Sequence, residues 1–145
     1  MNSLARYRSG PPQITIGFAM KAIGPAGGTI SLAGFEAVVP AGAVSKWTMF
    51  TIRLPIDRTM SDYVWASFGP HGMQFSVPVT LRLPYRGTTS EGDTATHVMW
   101  FDGAAWVELP TTFTQDGRIQ TQTTHFSDYG TEETDPSKGI EPVGG

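Results

Sequence analysis

The stretch Val77-Pro-Val-Thr-Leu-Arg-Leu83 alternates apolar and polar residues, and this period of two is typical of a strand with one buried face. The same alternation occurs on both sides of it, in residues 13–18, 48–54 and 118–124. Glycine- and proline-containing breaks separate these segments at short intervals, as turns do. The sequence therefore predicts an all-β fold, and specifically an antiparallel β-sandwich.

Turn chemistry predicts two hairpins. Asp102-Gly103 and Asp116-Gly117 each lie between two short β-prone segments, and Asp-Gly favours the positive φ of a tight hairpin turn. No window carries capped apolar residues at helical spacing, so helices are expected to be one or two turns long, with 41–45 as the best candidate. The expected hairpins join 98–101 to 106–109 and 112–115 to 118–124.

Composition excludes several classes of protein. The chain has 145 residues, which suits one domain with one core, and it has no cysteine, which removes disulfides, thiolate zinc sites and cysteine nucleophiles. The net charge of −3 comes entirely from residues 131–145, so residues 1–130 are neutral. Without a basic field we expect no nucleic-acid partner. The charged residues of the last segment are Glu132, Glu133, Asp135 and Glu141 against Lys138.

The chain is predicted to have three parts. Residues 1–12 are interpreted as an extended arm, residues 13–130 as the sandwich and residues 131–145 as an acidic tail, because proline and glycine in both end segments disfavour helix. No signal peptide or transmembrane segment is evident, which favours a cytoplasmic or virion-associated protein without a membrane partner. The expected contact residues of the arms are Arg6, Arg8, Glu132, Glu133 and Asp135.

Several segments, in chain order, resemble the ZU5 domain, a β-sandwich family. Gly27-Gly28-Thr-Ile30 is similar to the family's opening strand, and Phe35-Glu-Ala-Val-Val-Pro-Ala-Gly-Ala-Val44 is similar to its Pro-Pro-Gly-Ala element, with Ala41 in place of the second proline. Phe68-Gly-Pro-His-Gly-Met-Gln-Phe75, followed by Val77-Pro-Val-Thr-Leu-Arg-Leu-Pro84, resembles the family's Gly-Pro-x-Gly signature. The resemblance covers residues 27 to 130 and implies a β-sandwich. It does not imply one function, because this fold serves many roles.

His125-Phe126-Ser127 matches the triplet at which autoproteolytic relatives of this family cleave themselves. In that chemistry the Ser127 hydroxyl attacks the Phe126 carbonyl in an N-to-O acyl shift, His125 accepts the hydroxyl proton, and water hydrolyses the ester. In the alternative interpretation, which we favour, the triplet only ends the last strand, with Phe126 buried and Ser127 at the corner.

The sequence contains candidate residues for a metal site and for a glycan site, and each set also has a simpler structural explanation. Three imidazoles could hold a metal, but His71, His97 and His125 lack metal-site spacing and lie on different predicted elements, so we expect no metal or cofactor. The tryptophans could form a glycan platform, although aromatic burial in the core is favoured. Trp100 and Trp106 are expected to face each other across a hairpin. The four platform candidates are Trp47, Trp65, Trp100 and Trp106.

These observations favour a non-enzymatic structural or interaction module that docks onto protein subunits of a larger assembly or forms a homo-oligomer. Specifically, we expect the assembly to be a phage or virus particle and this chain to be a decoration or minor structural protein of it. The alternatives are a self-cleaving module and a carbohydrate-binding or adhesion module of a bacterial surface.

Overall fold

The computed structural model describes residues 3–12, 17–55 and 62–133, and within these residues all regular structure is β. The strands are β1 (Ser3–Leu4), β2 (Phe18–Ile23), β3 (Gly28–Leu32), β4 (Phe35–Val39), β5 (Thr48–Arg53), β6 (Trp65–Gly69), β7 (Gln74–Pro84), β8 (Val98–Phe101), β9 (Trp106–Glu108), β10 (Thr112–Phe113), β11 (Arg118–His125) and β12 (Asp128–Glu133).

The strands form two antiparallel sheets that pack against each other, which confirms the predicted β-sandwich. The large sheet has the order β2-β5-β6-β12-β8-β9, with β1 added beside β12. The small sheet has the order β10-β11-β7-β4-β3. The chain passes between the sheets several times, so both are built from distant segments.

The alternation that predicted the fold is present in β7, the central strand of the small sheet. Val79, Leu81 and Leu83 are fully buried, while Thr80 and Arg82 between them lie on the outer face. The large sheet contributes Phe50, Ile52, Ala66, Phe68 and Tyr129 to the same core, all with no exposed surface. One hydrophobic core therefore fills the space between the sheets, as expected for a chain of this size.

Most predicted elements are confirmed. Segments 48–54 and 118–124 form β5 and β11, and both hairpins exist as β8–β9 and β10–β11. Residues 13–16 of the first predicted strand lie outside the described residues. The predicted helix at 41–45 is wrong: the segment is a turn and bend, because Gly42 has φ of 87° and its N–H bonds to the Pro25 carbonyl at 2.9 Å.

The structure differs from the sequence analysis at both boundaries of the sandwich. β1 pairs with the end of β12, Ser3 opposite Glu133, so neither residues 3–8 nor residues 131–133 form a free arm. The physical reason lies in the length of β12. It pairs with β6 only as far as Gly130, and beyond that residue its edge would be unpaired. β1 pairs with this part of β12 and buries Leu4 and Ala5. Asp135 lies outside the described residues.

Gly130 is the position where β1 presses against the large sheet. A Cβ atom built there would contact Leu4 Cδ2 and would lie 2.9 Å from the Val64 carbonyl oxygen. We predict that Gly130→Ala lowers the free energy of unfolding by about 1–3 kcal/mol through overpacking. Urea denaturation measures this change. Gly28→Ala is the control, since the nearest atom to a Cβ built at Gly28 belongs to Ile23 and lies at an ordinary contact distance of 3.4 Å. Equal stability of the two variants would contradict the packing.

Candidate functional site

The predicted cleavage triplet lies at the corner where the chain crosses from the small sheet to the large one. β11 ends at His125 and β12 begins at Asp128, so Phe126 and Ser127 form the crossing. The Phe126 ring is 2% exposed. It packs against Phe50, Phe68 and Phe75 with ring centroids 5.7, 5.7 and 4.8 Å away. The central residue of the triplet is thus an aromatic anchor of the core, as the favoured interpretation expected.

His125 and Ser127 engage different groups. The Ser127 hydroxyl donates to the Phe101 carbonyl at 3.3 Å, on the neighbouring strand. The His125 ring packs edge-on against Trp100 at 4.8 Å, and its Nδ1 lies 3.4 Å from the Thr123 hydroxyl. Its Nε2 is buried without a hydrogen-bond partner among the described residues. The arrangement thus gives Ser127 a carbonyl acceptor instead of a basic nitrogen.

We predict that the purified chain stays intact at the bond between Phe126 and Ser127, because the hydroxyl and the imidazole have different partners. Intact mass spectrometry of the wild type and Ser127→Ala, after prolonged incubation, measures this. Both are expected to give one unfragmented species. Fragments that start at Ser127 in the wild type and are missing from the variant would contradict the prediction and establish self-cleavage.

The tryptophans are not gathered into one platform. Trp65 and Trp106 meet edge to face at 6.4 Å on the outer face of the large sheet, with the Phe101 ring 5.3 Å from Trp106. Trp47 precedes β5 and is 72% exposed, and the register places it about 25 Å along the strands from Trp65. The expected pairing of Trp100 with Trp106 is wrong, because Trp100 lies opposite Val107.

The residues assigned to the arms are held within the fold. The Arg8 guanidinium donates to the Thr88 carbonyl at 2.8 Å, and the Arg6 backbone N–H donates to the Thr89 hydroxyl at 3.0 Å. Glu132 and Glu133 lie in β12, 3% and 8% exposed. These four residues therefore lie in the sandwich and not in free arms, although both carboxylate oxygens of Glu133 are buried without a hydrogen-bond partner among the described residues.

The outer faces of the two sheets differ in character. On the small sheet, Arg82 bonds to Glu36 at 2.8 Å and to Gln120 at 3.0 Å, and Arg118 lies 3.4 Å from Glu36. This ladder joins three adjacent strands, and Asp116, which forms an ion pair with Arg118, balances the charge of the second guanidinium. Such a face is stable in water without a partner.

On the large sheet, the β2–β5 pair carries an exposed apolar row. Met20 is 57% and Met49 is 49% exposed, and Ala22, opposite Met49, connects them. The Trp47 ring continues the row by covering Gly24, where a Cβ atom would lie 2.8 Å from the ring. Met20, Met49 and Trp47 are three of the six exposed large apolar side chains of the described residues. We call Met20, Ala22, Trp47 and Met49 the apolar row.

The other end of the same outer face carries His97, Glu108 and Glu132. One ligand atom of each lies within 4.8 Å of the others. His97 Nδ1 is 2.9 Å from Glu132 Oε1 and 3.7 Å from Glu108 Oε2. Burial, and then the nearby Glu108 carboxyl, raise the pKa of Glu132 to about 7, while His97 opposes the rise.

Sequence reasoning missed both of these features. For the apolar row a signal existed, since Met49 alternates with Phe50 and Ile52 and shares the side of the 48–54 segment that carries Thr51 and Arg53. For Glu108 there was none, because its proximity to His97 depends on the register of β8 with β9. His71 and His125 lie apart from His97: the former bonds to the Ser67 hydroxyl and the latter packs on Trp100.

No protein-family model matches this chain, and no curated protein matches it. The resemblance to the ZU5 domain therefore stays a prediction, supported by the sandwich fold alone. The described residues contain no helix with the length and apolar character needed to span a membrane.

Proposed function

We propose that the protein is a non-enzymatic structural module that associates with a second copy of itself through the β2 edge and the apolar row. The observation that carries the proposal is the contrast between the two outer faces. The charges on the outer face of the small sheet pair with one another, Arg82 and Arg118 with Glu36 and Asp116, whereas the large sheet leaves Met20, Met49 and Trp47 exposed side by side. Contiguous exposed apolar surface rimmed by polar residues is typical of protein interfaces.

The position of β2 favours a second copy as the partner. β2 is the last strand of the large sheet, and among the described residues its outer edge has no ladder partner. A lysine on an edge strand discourages the addition of another strand. In β2 the ammonium of Lys21 donates a hydrogen bond to the Thr29 carbonyl of β3 at 2.8 Å. An antiparallel pair of β2 strands related by a two-fold axis would continue the sheet across both copies.

Such pairing also covers the apolar row. When two antiparallel strands pair, residues directly opposite each other share a face. A pair centred on Met20 therefore places both Met20 side chains together on the outer face and joins the two apolar rows. Membership of a larger assembly, such as the phage or virus particle expected from the sequence, remains a prediction. Glycan binding and self-cleavage remain the alternatives to it, and the separate partners of Ser127 and His125 disfavour self-cleavage.

Light scattering over a concentration series tests self-association. We predict that the wild type shifts from one chain to two as concentration rises, and that Met20→Glu and Met49→Glu shift the equilibrium at least about tenfold towards the monomer because each buries an unpaired charge. Val77→Glu is the matched control, an exposed residue in β7 of the other sheet. A wild type that stays monomeric, or a control that dissociates equally, would refute the proposal.

A further inference from the structure

Three metal-ligating side chains from three neighbouring strands converge on the outer face of the large sheet. Glu132 belongs to β12 and Glu108 to β9, while His97 immediately precedes β8, which lies between them. The Glu132 N–H donates to the His97 carbonyl at 2.9 Å, so the β8–β12 register extends to this pair. Glu108 pairs with Met99, two residues from His97 on the same face. The backbone ladder therefore fixes all three positions.

The separations suit one small cation. Ligands about 2.1 Å from a tetrahedral zinc ion lie about 3.4 Å from one another. His97 Nδ1 lies 2.9 Å from Glu132 Oε1 and 3.7 Å from Glu108 Oε2, on either side of that value. The widest separation in the group is within 4.8 Å, and rotation of the half-exposed Glu108 side chain can shorten it.

The charges also call for a cation. The Glu132 side chain is 4% exposed, yet in the salt bridges of the described residues His97 is the only cationic partner of Glu132 or Glu108. A neutral imidazole leaves the buried carboxylate of Glu132 beside the half-exposed carboxylate of Glu108, which is costly unless a proton or a metal ion compensates their charge. Solvent reaches the site from the side of Glu108, which is 45% exposed.

We propose that His97, Glu108 and Glu132 bind one divalent transition-metal ion of the zinc type, with water completing its coordination. One imidazole nitrogen and two carboxylate oxygens favour such ions over magnesium and calcium, which prefer all-oxygen sites. The ion would link the edge strand β9 to β8 and β12 and so stabilise this end of the sheet. The site does not depend on the proposed self-association.

Calorimetric titration of the chelator-treated full chain with zinc chloride tests the site. We predict saturable binding of one zinc ion per chain and a rise in melting temperature with zinc concentration, because a bound ion stabilises the folded state. Magnesium and calcium chloride are expected to produce neither effect. His97→Gln and Glu108→Gln are each expected to weaken binding at least about tenfold.

His71→Gln is the matched control. His71 lies on the same outer face beside Asp128, 3.8 Å away, but the described residues place no second carboxylate ligand next to it. It should bind zinc like the wild type. If the His97 variant fails to fold, Glu108→Gln still tests the site, because Glu108 is exposed on an edge strand and its replacement is expected to leave the fold intact. No saturable zinc binding by the wild type, or equal binding by the wild type and Glu108→Gln, would overturn the proposal.

Discussion

The hydroxyl of Tyr129 joins the two sheets where the chain crosses between them. It donates to the His125 carbonyl at 2.6 Å and lies 2.9 Å from the Thr123 hydroxyl, while its ring packs on Phe68. Burial raises the pKa of this phenol to about 12, so it remains a hydrogen-bond donor at neutral pH. Together with the buried Phe126, this contact fixes β12 in the centre of the large sheet, and the strands beside β12 take their positions from it.

That central position determines what the outer face displays. Because side chains alternate along β12, burying Tyr129 directs Asp128, Gly130 and Glu132 outwards. Gly130 leaves room for Leu4, which allows β1 to complete the sheet, and Glu132 meets His97 on the neighbouring strand. The proposed metal site and the docking of β1 are thus two consequences of one strand register. The apolar row is independent of it, since it belongs to the β2–β5 edge.

Local sequence patterns were sufficient to predict the sandwich, but they failed to predict contacts that depend on strand register. The alternation in β7 and the Asp-Gly turns depend on neighbouring residues, so both were predictable. Trp100 and Trp106 were placed on one face, but four residues connect β8 to β9 and Phe101 lies opposite Trp106; a register change of one residue moves a side chain to the other face. β1 is two residues long and pairs with Glu132 and Glu133, which are very distant from it in sequence, so no local pattern could reveal it.

We propose that copies of this protein meet at the β2 edge. Hydrogen–deuterium exchange of the β2 backbone amides, at low and high protein concentration, tests this claim most directly because strand pairing protects amides that are otherwise open to water. We expect the β2 amides to exchange more slowly at high concentration, while exchange of the amides of β3 and β10, the edges of the small sheet, does not change. Unchanged exchange in β2, or protection that appears at β3 or β10 instead, would contradict it.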